Sequence, residues 1–298
     1  CSMRSSAGSI IRSLSYVLFA SVPAHATGQA PADTIAKIAR LDRLLVELSP
    51  RLEAVWPGYT YDELGLLFIV PGVAKALVRW PLAPPAGMQP LPNFERVYFT
   101  GTQGISWQPG LAMGPATVQA GMNEVQLLGL AMHEAFHAHE VRARQTGRRF
   151  GLSENSMLTS RYPVMDLENE ALFALEARLL LRAVNAKTVA ESRSYAGQFM
   201  EARKRRYARL DSTFVNFERA AELHEGLAQY ALLRGLAEVA RTHPRYAADA
   251  AAERVTEGNV LANTLRSGAS VRRRFYATGS HLGLLLDRLH PDTWKQEV

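Results

Sequence analysis

Apolar residues recur at helical spacing between residues 31 and 56. Ile35, Ile38, Leu41, Leu44, Leu45 and Leu48 form one stripe that Ser49-Pro50 ends. The next apolar run, Leu64 to Val70, is short, continuous and stopped by Pro71-Gly72, the pattern of a buried strand. Five prolines and a glycine between Pro81 and Pro92 mark a loop. Arg96–Thr100, Ile105–Trp107 and Ala116–Ala120 are spaced like strands of a small antiparallel sheet with glycine-rich turns. After Gly121 the period changes to that of a helix, with Asn123 as its N-cap, Gln126 three residues on, and apolar positions running to Phe136. Beyond residue 150 the pattern is almost entirely helical, over Asp166–Val184, Tyr195 to about Arg209, Phe214 to about Arg241, and Tyr276–Leu289 before His290-Pro291. The expected class is α+β, predominantly α. An N-terminal part with a small antiparallel sheet covers residues 27–121, and a helical lobe led by an active-site helix covers 122–298.

That helix carries His133-Glu134-Ala135-Phe136-His137. Residues four apart lie one above the other on a helix, so both imidazoles reach one metal ion. Glu134 is turned about 100° away, close enough to meet a water there without occupying a ligand position. Two neutral imidazoles suit Zn²⁺, and a carboxylate beside them can serve as general base.

A catalytic zinc site takes a third protein ligand and leaves a position open. A histidine ten residues after the first is excluded, because Ala143 stands there. The third ligand is then an acid on a later helix, from Glu168, Glu170 and Glu176 or from Glu218, Glu222 and Glu225. Glu225 is favoured on steric grounds, since Gly226 and Ala228 allow its helix a close approach to a partner. Glu222, one turn earlier, could replace it or support a ligand histidine.

His-Glu-Ala-Phe-His followed about 90 residues later by Glu225-Gly-Leu-Ala-Gln-Tyr230 resembles a gluzincin-type zinc metallopeptidase. The segments Glu168–Glu176 and Phe275–Gly279 are similar to those of uncharacterised exported bacterial zincins. The resemblance implies a zincin-like fold, Zn²⁺ held by His133, His137 and Glu225, and cleavage of a peptide or protein substrate that pairs with an edge strand. The chain departs from the thermolysin family's pattern at Gln229, where an aspartate would follow the third ligand by four.

The expected reaction is hydrolysis, with Glu134 taking a proton from the attacking water and passing it to the leaving amine. Tyr276 is the candidate oxyanion stabiliser, with His224 and His281 as alternatives. Glu140 returns to the zinc face and could orient His137, whereas His139 faces away. Two competing readings are a zinc hydrolase of a non-peptide amide or ester and a non-catalytic zincin-fold binding protein. An intact Glu134 argues against the second.

Composition narrows this only slightly. An apolar fraction of 47% and a charged fraction of 21% exclude disorder and a coiled coil. Residues 1–26 read as a cleaved signal peptide: Arg4 and Arg12 with no acids, an apolar run from Leu14 to Val22, and Ala24-His25-Ala26. That run is shorter than the roughly 20 residues that span a bilayer, so no stable membrane insertion is expected after cleavage. Removing the leader takes out two arginines and lowers the net charge from +6 to +4. The runs Arg203–Arg209 and Arg272–Arg274 read as solvated helix faces, and no nucleic-acid partner is expected. Cys1 is the only cysteine. An exported chain without disulfides fits a bacterial periplasm or a secreted protein. No feature of the sequence bears on oligomeric state.

Overall fold

The computed structural model describes residues 31–62, 121–145, 154–263 and 268–298, together with the backbone of four short strands. The expected leader and the expected proline-rich loop lie outside the described residues, as does Ile105–Trp107.

Helix α1 spans Pro31–Leu52 and buries Ile38, Leu41, Leu45, Leu48 and Leu52 along one stripe. It runs through Pro50 rather than stopping at Ser49, so that Leu52 completes the buried face. The turn after it is closed by Ser49, whose hydroxyl bonds Asp62 and accepts the Asp62 amide at 3.1 Å. Val55, Trp56, Tyr59 and Tyr61 then continue the core.

Among the residues described down to their side chains, every regular element is helical. This overturns the α+β, zincin-like class with its small antiparallel sheet. Four short segments are described by their backbone alone: β1 (Gly65–Ile69), β2 (Lys75–Arg79), β3 (Val97–Thr100) and β4 (Met113–Thr117). Their order is β3-β2-β1-β4, and β4 runs parallel to β1 with Phe68 opposite Ala116. Strands consecutive in sequence, β3 and β4, thus occupy opposite edges. Local alternation cannot encode that, because it reads the same for a hairpin and for a crossover.

The helical body begins with α2 (Glu124–Gln145). Asn123 and Gln126 cap it reciprocally: the Gln126 amide donates to Asn123 Oδ1 at 2.8 Å and the Asn123 amide to Gln126 Oε1 at 3.1 Å. A short 3₁₀ turn (Ser156–Arg161) leads to α3 (Leu167–Asn185), capped by Asp166, and α4 (Val189–Tyr207), capped by a Thr188–Glu191 box. The helix expected over 214–241 is three pieces on one axis: α5 (Ser212–Ala221), a π-helical turn (Glu222–Gly226) and α6 (Leu227–Thr242). Helix α7 (Ala247–Ala262) is an addition to the expected elements. It is alanine-rich and buries only Glu257 and Leu261, so its apolar period is too weak to read. Helix α8 (Gly268–Leu289) begins eight residues before Tyr276, and α9 (Trp294–Glu297) closes the chain.

The core lies where α2, α6 and α8 pack, with Phe136 edge-on to Trp56 and Tyr59. A smaller cluster of Tyr162, Phe173, Phe217 and Phe275 joins the 3₁₀ turn to α8. The basic runs are solvated only in part: Lys204, Arg205 and Arg209 are exposed, but three arginines turn inward. Arg206 is buried between Glu176 and Glu218, Arg203 joins Glu176 to Glu222, and Arg274 is bidentate to Glu170 at 2.8 Å. Among the described residues no helix is long and apolar enough to cross a membrane.

Candidate metal centre

Three elements converge on one point. Helix α2 presents His133 and His137 on a single face, with ring centroids 4.8 Å apart. The π-helical turn presents Glu225, and α8 brings Arg272 and Tyr276 alongside. The convergence depends on two glycines. A Cβ on Gly226 would lie 2.5 Å from the Gly279 Cα, and one on Gly279 would lie 2.4 Å from the Glu222 carbonyl oxygen. No side chain fits between these backbones, so α8 lies directly against the turn that carries Glu225.

The donor atoms form a nearly equilateral triangle. His133 Nε2 to Glu225 Oε2 is 3.2 Å, His137 Nε2 to the same oxygen 3.3 Å, and the two Nε2 atoms are 3.2 Å apart. With Glu225 ionised, protons alone cannot satisfy all three contacts. If both nitrogens carry hydrogen, the N–N contact is donor against donor. If either lacks it, that nitrogen's lone pair faces the carboxylate. A cation at the centre satisfies all three. Ligand distances of roughly 2.0–2.1 Å in a tetrahedral zinc site separate the ligand atoms by about 3.3 Å, so the residues present fit Zn²⁺.

Each of these candidate ligands is itself held. Glu140, fully buried, takes His137 Nδ1 at 3.2 Å and His224 Nδ1 at 2.8 Å on one oxygen, which turns His137 Nε2 towards Glu225. Glu225 Oε1 accepts from Arg272, and Arg272 is bidentate to Glu154, with both bonds 2.8 Å. The Tyr276 ring stacks on His133 with centroids 5.7 Å apart and planes 7° off parallel, and the Arg272 guanidinium carbon lies 5.3 Å from the Tyr276 ring centroid.

Charge follows this arrangement. Burial lowers the basicity of His133, whereas at His137 the Glu225 and Glu140 carboxylates overcome burial and raise it well above the usual value. Burial also opposes the charge on Glu225, but His137 and His133 hold it well below the carboxylate range. Glu134, half-buried, has its carboxyl pushed up to about 7, chiefly by burial and further by Glu225, with His137 and Arg272 opposing. Burial and Glu225 push the Tyr276 hydroxyl well above its usual value, so it stays a donor.

No family model, curated protein or solved structure matches this chain. The reading therefore rests on geometry. The structure brings together His133, His137 and Glu225, with Glu134 and Tyr276 beside them. It does not bring the other acids there. Glu168 pairs with Arg209, Glu170 with Arg274, Glu176 with Arg203 and Arg206, Glu218 with Arg206, and Glu222 with Arg203. Of the two alternative oxyanion donors, His281 is buried on the Ala277 carbonyl at 2.8 Å, and His224 is taken up by Glu140. His139 packs against Tyr59 and Phe136. Sequence reasoning missed Glu154 and Arg272. The only signal for Arg272 was a basic run, and its partners lie 118 and 47 residues away.

Proposed function

We propose that this chain is a zinc-dependent hydrolase and that the bond it cleaves is a peptide bond. The observation that carries the reading is the triangle of two imidazole nitrogens and one carboxylate oxygen, with a raised carboxyl, Glu134, next to it. The gluzincin resemblance of the two segments supports the peptide over other acyl substrates.

Zinc bound there would supply a Lewis acid that polarises the scissile carbonyl and acidifies a water. The protein's own contribution is positional. Glu134 takes the proton of the attacking water and returns it to the leaving nitrogen, a task suited to a carboxyl whose affinity for protons is raised by burial. The Tyr276 hydroxyl donates to the developing oxyanion, held in place by the His133 ring under its own. Glu140 fixes the tautomer of His137, and Arg272 holds Glu225 with one oxygen towards the histidines. Export is part of the same proposal, on the pattern of residues 1–26.

Chelation tests the reading. Treatment with a zinc chelator should abolish digestion of an unfolded protein, and stoichiometric Zn²⁺ should restore it. His137→Ala should be inactive and hold no zinc. Digestion that survives both would exclude a zinc peptidase.

A further inference from the structure

The π-helical turn at Glu222–Gly226 is the one interruption in the helix axis that runs from Ser212 to Thr242. Such turns are rare, because they widen the hydrogen-bonded ring and insert one residue into the helix. This one starts and ends beside carboxylates that face different partners. Glu222 is bidentate to Arg203 of α4, at 3.0 and 2.7 Å. Glu225 faces the histidines of α2, at 3.2 and 3.3 Å.

Helical phase shows why the turn is needed. In a regular α-helix, residues three apart lie about 60° apart around the axis, so both carboxylates would face nearly the same side. A π-helical turn advances each residue by roughly 80°, which opens the angle to about 120°. One acid can then meet α4 while the other meets α2.

We infer that Arg203, acting through Glu222, positions the metal ligand Glu225 by holding this turn in its π-helical form. Arg203 is well placed to do so. It is 8% exposed, its Nε donates to Glu176 at 3.1 Å, and its guanidinium lies over the Phe199 ring at 4.6 Å. It is thus a fixed post and not a flexible cation. Relaxation of the turn to a regular helix would swing Glu225 back towards Glu222 and away from His133 and His137. The inference rests on the zinc reading of the site, and Arg203 is a positioning residue that touches neither metal nor substrate.

The test compares zinc affinity, by competition with a chromophoric chelator, with stability, by urea unfolding. Arg203→Met should bind zinc 10- to 100-fold more weakly while retaining helical circular dichroism, the size expected for an outer residue that orients a ligand. Arg203→Lys, which keeps the charge without the fork, should recover part of that loss. Leu45→Ala, a cavity in the α1 core, should lower stability yet leave zinc affinity within about twofold. If Arg203→Met binds zinc as Leu45→Ala does, Arg203 is structural only and the inference is overturned. Should Arg203→Met fail to fold, Glu222→Gln decides: it keeps the shape and loses the charge, and zinc affinity equal to wild type would overturn the inference. A different comparison reports on the underlying site. If the wild type takes up no more zinc than His133→Ala, the zinc reading itself fails, and the positioning role with it.

Discussion

Gly226 and Gly279 meet backbone to backbone, one on the turn that carries Glu225 and the other on the helix that carries Tyr276. Gly226→Ala or Gly279→Ala must push these elements apart. Each should cost about 1–3 kcal/mol in urea unfolding, the range for overpacking a tight contact. Zinc affinity should fall too, because Arg272 moves with α8. Gly197, also inside a helix, has nothing within 4 Å of its would-be Cβ. Gly197→Ala should instead stabilise by about 0.5–1 kcal/mol and leave zinc binding unchanged.

Glu140 collects two imidazoles on one oxygen, and only one of them belongs to the triangle. Glu140→Gln should weaken zinc binding by about 10- to 100-fold, measured by chelator competition. His224→Phe removes the other partner and should have a smaller effect.

These relationships show what was legible in the chain. His133, His137 and Glu134 could be read because a helix converts fixed spacing into fixed geometry. Gly226 marked Glu225 because a glycine inside a helix requires a packing reason. The anchors of those residues could not be read. Glu154 and Arg272 are 118 residues apart, and no local pattern joins them. Arg203 and Arg206 resembled a solvated run because charge alone does not reveal a buried carboxylate across the interface. The strand pairing was hidden for the same reason. Alternation marks extended segments, but β4 lies parallel to β1 through pairing at long range.

Arg206 joins Glu176 to Glu218 at 2.6 Å on each side, with both carboxylates buried. Arg206→Met should therefore cost about 3–5 kcal/mol, mainly because Glu218 is left buried without a cation, with the Tyr162 hydroxyl as its remaining donor. Adding Glu218→Met should recover most of the loss, since Glu176 still has Arg203. Unfolding of the single and double variants in urea measures the difference.

His281 adds a pH dependence away from the site. Burial lowers its pKa to about 4, whereas in the unfolded chain it titrates near 6.5. Between these values the unfolded state binds a proton that the folded state does not. Stability is therefore full above pH ~6.5 and falls as the pH drops towards ~4. Wild type should lose about 2–3 kcal/mol more than His281→Gln on going from pH ~7.5 to ~4.5, as measured by urea unfolding at the two pH values.

In the proposed reaction Glu134 is the base beside a zinc held by His133, His137 and Glu225. The most direct measurement is zinc content together with digestion of an unfolded protein, for wild type and Glu134→Gln side by side. Both proteins should hold one zinc, and the variant should digest at least about 100-fold more slowly, the loss expected on removing a general base. Equal digestion by two zinc-loaded proteins, or a wild type that binds no zinc, would contradict the account.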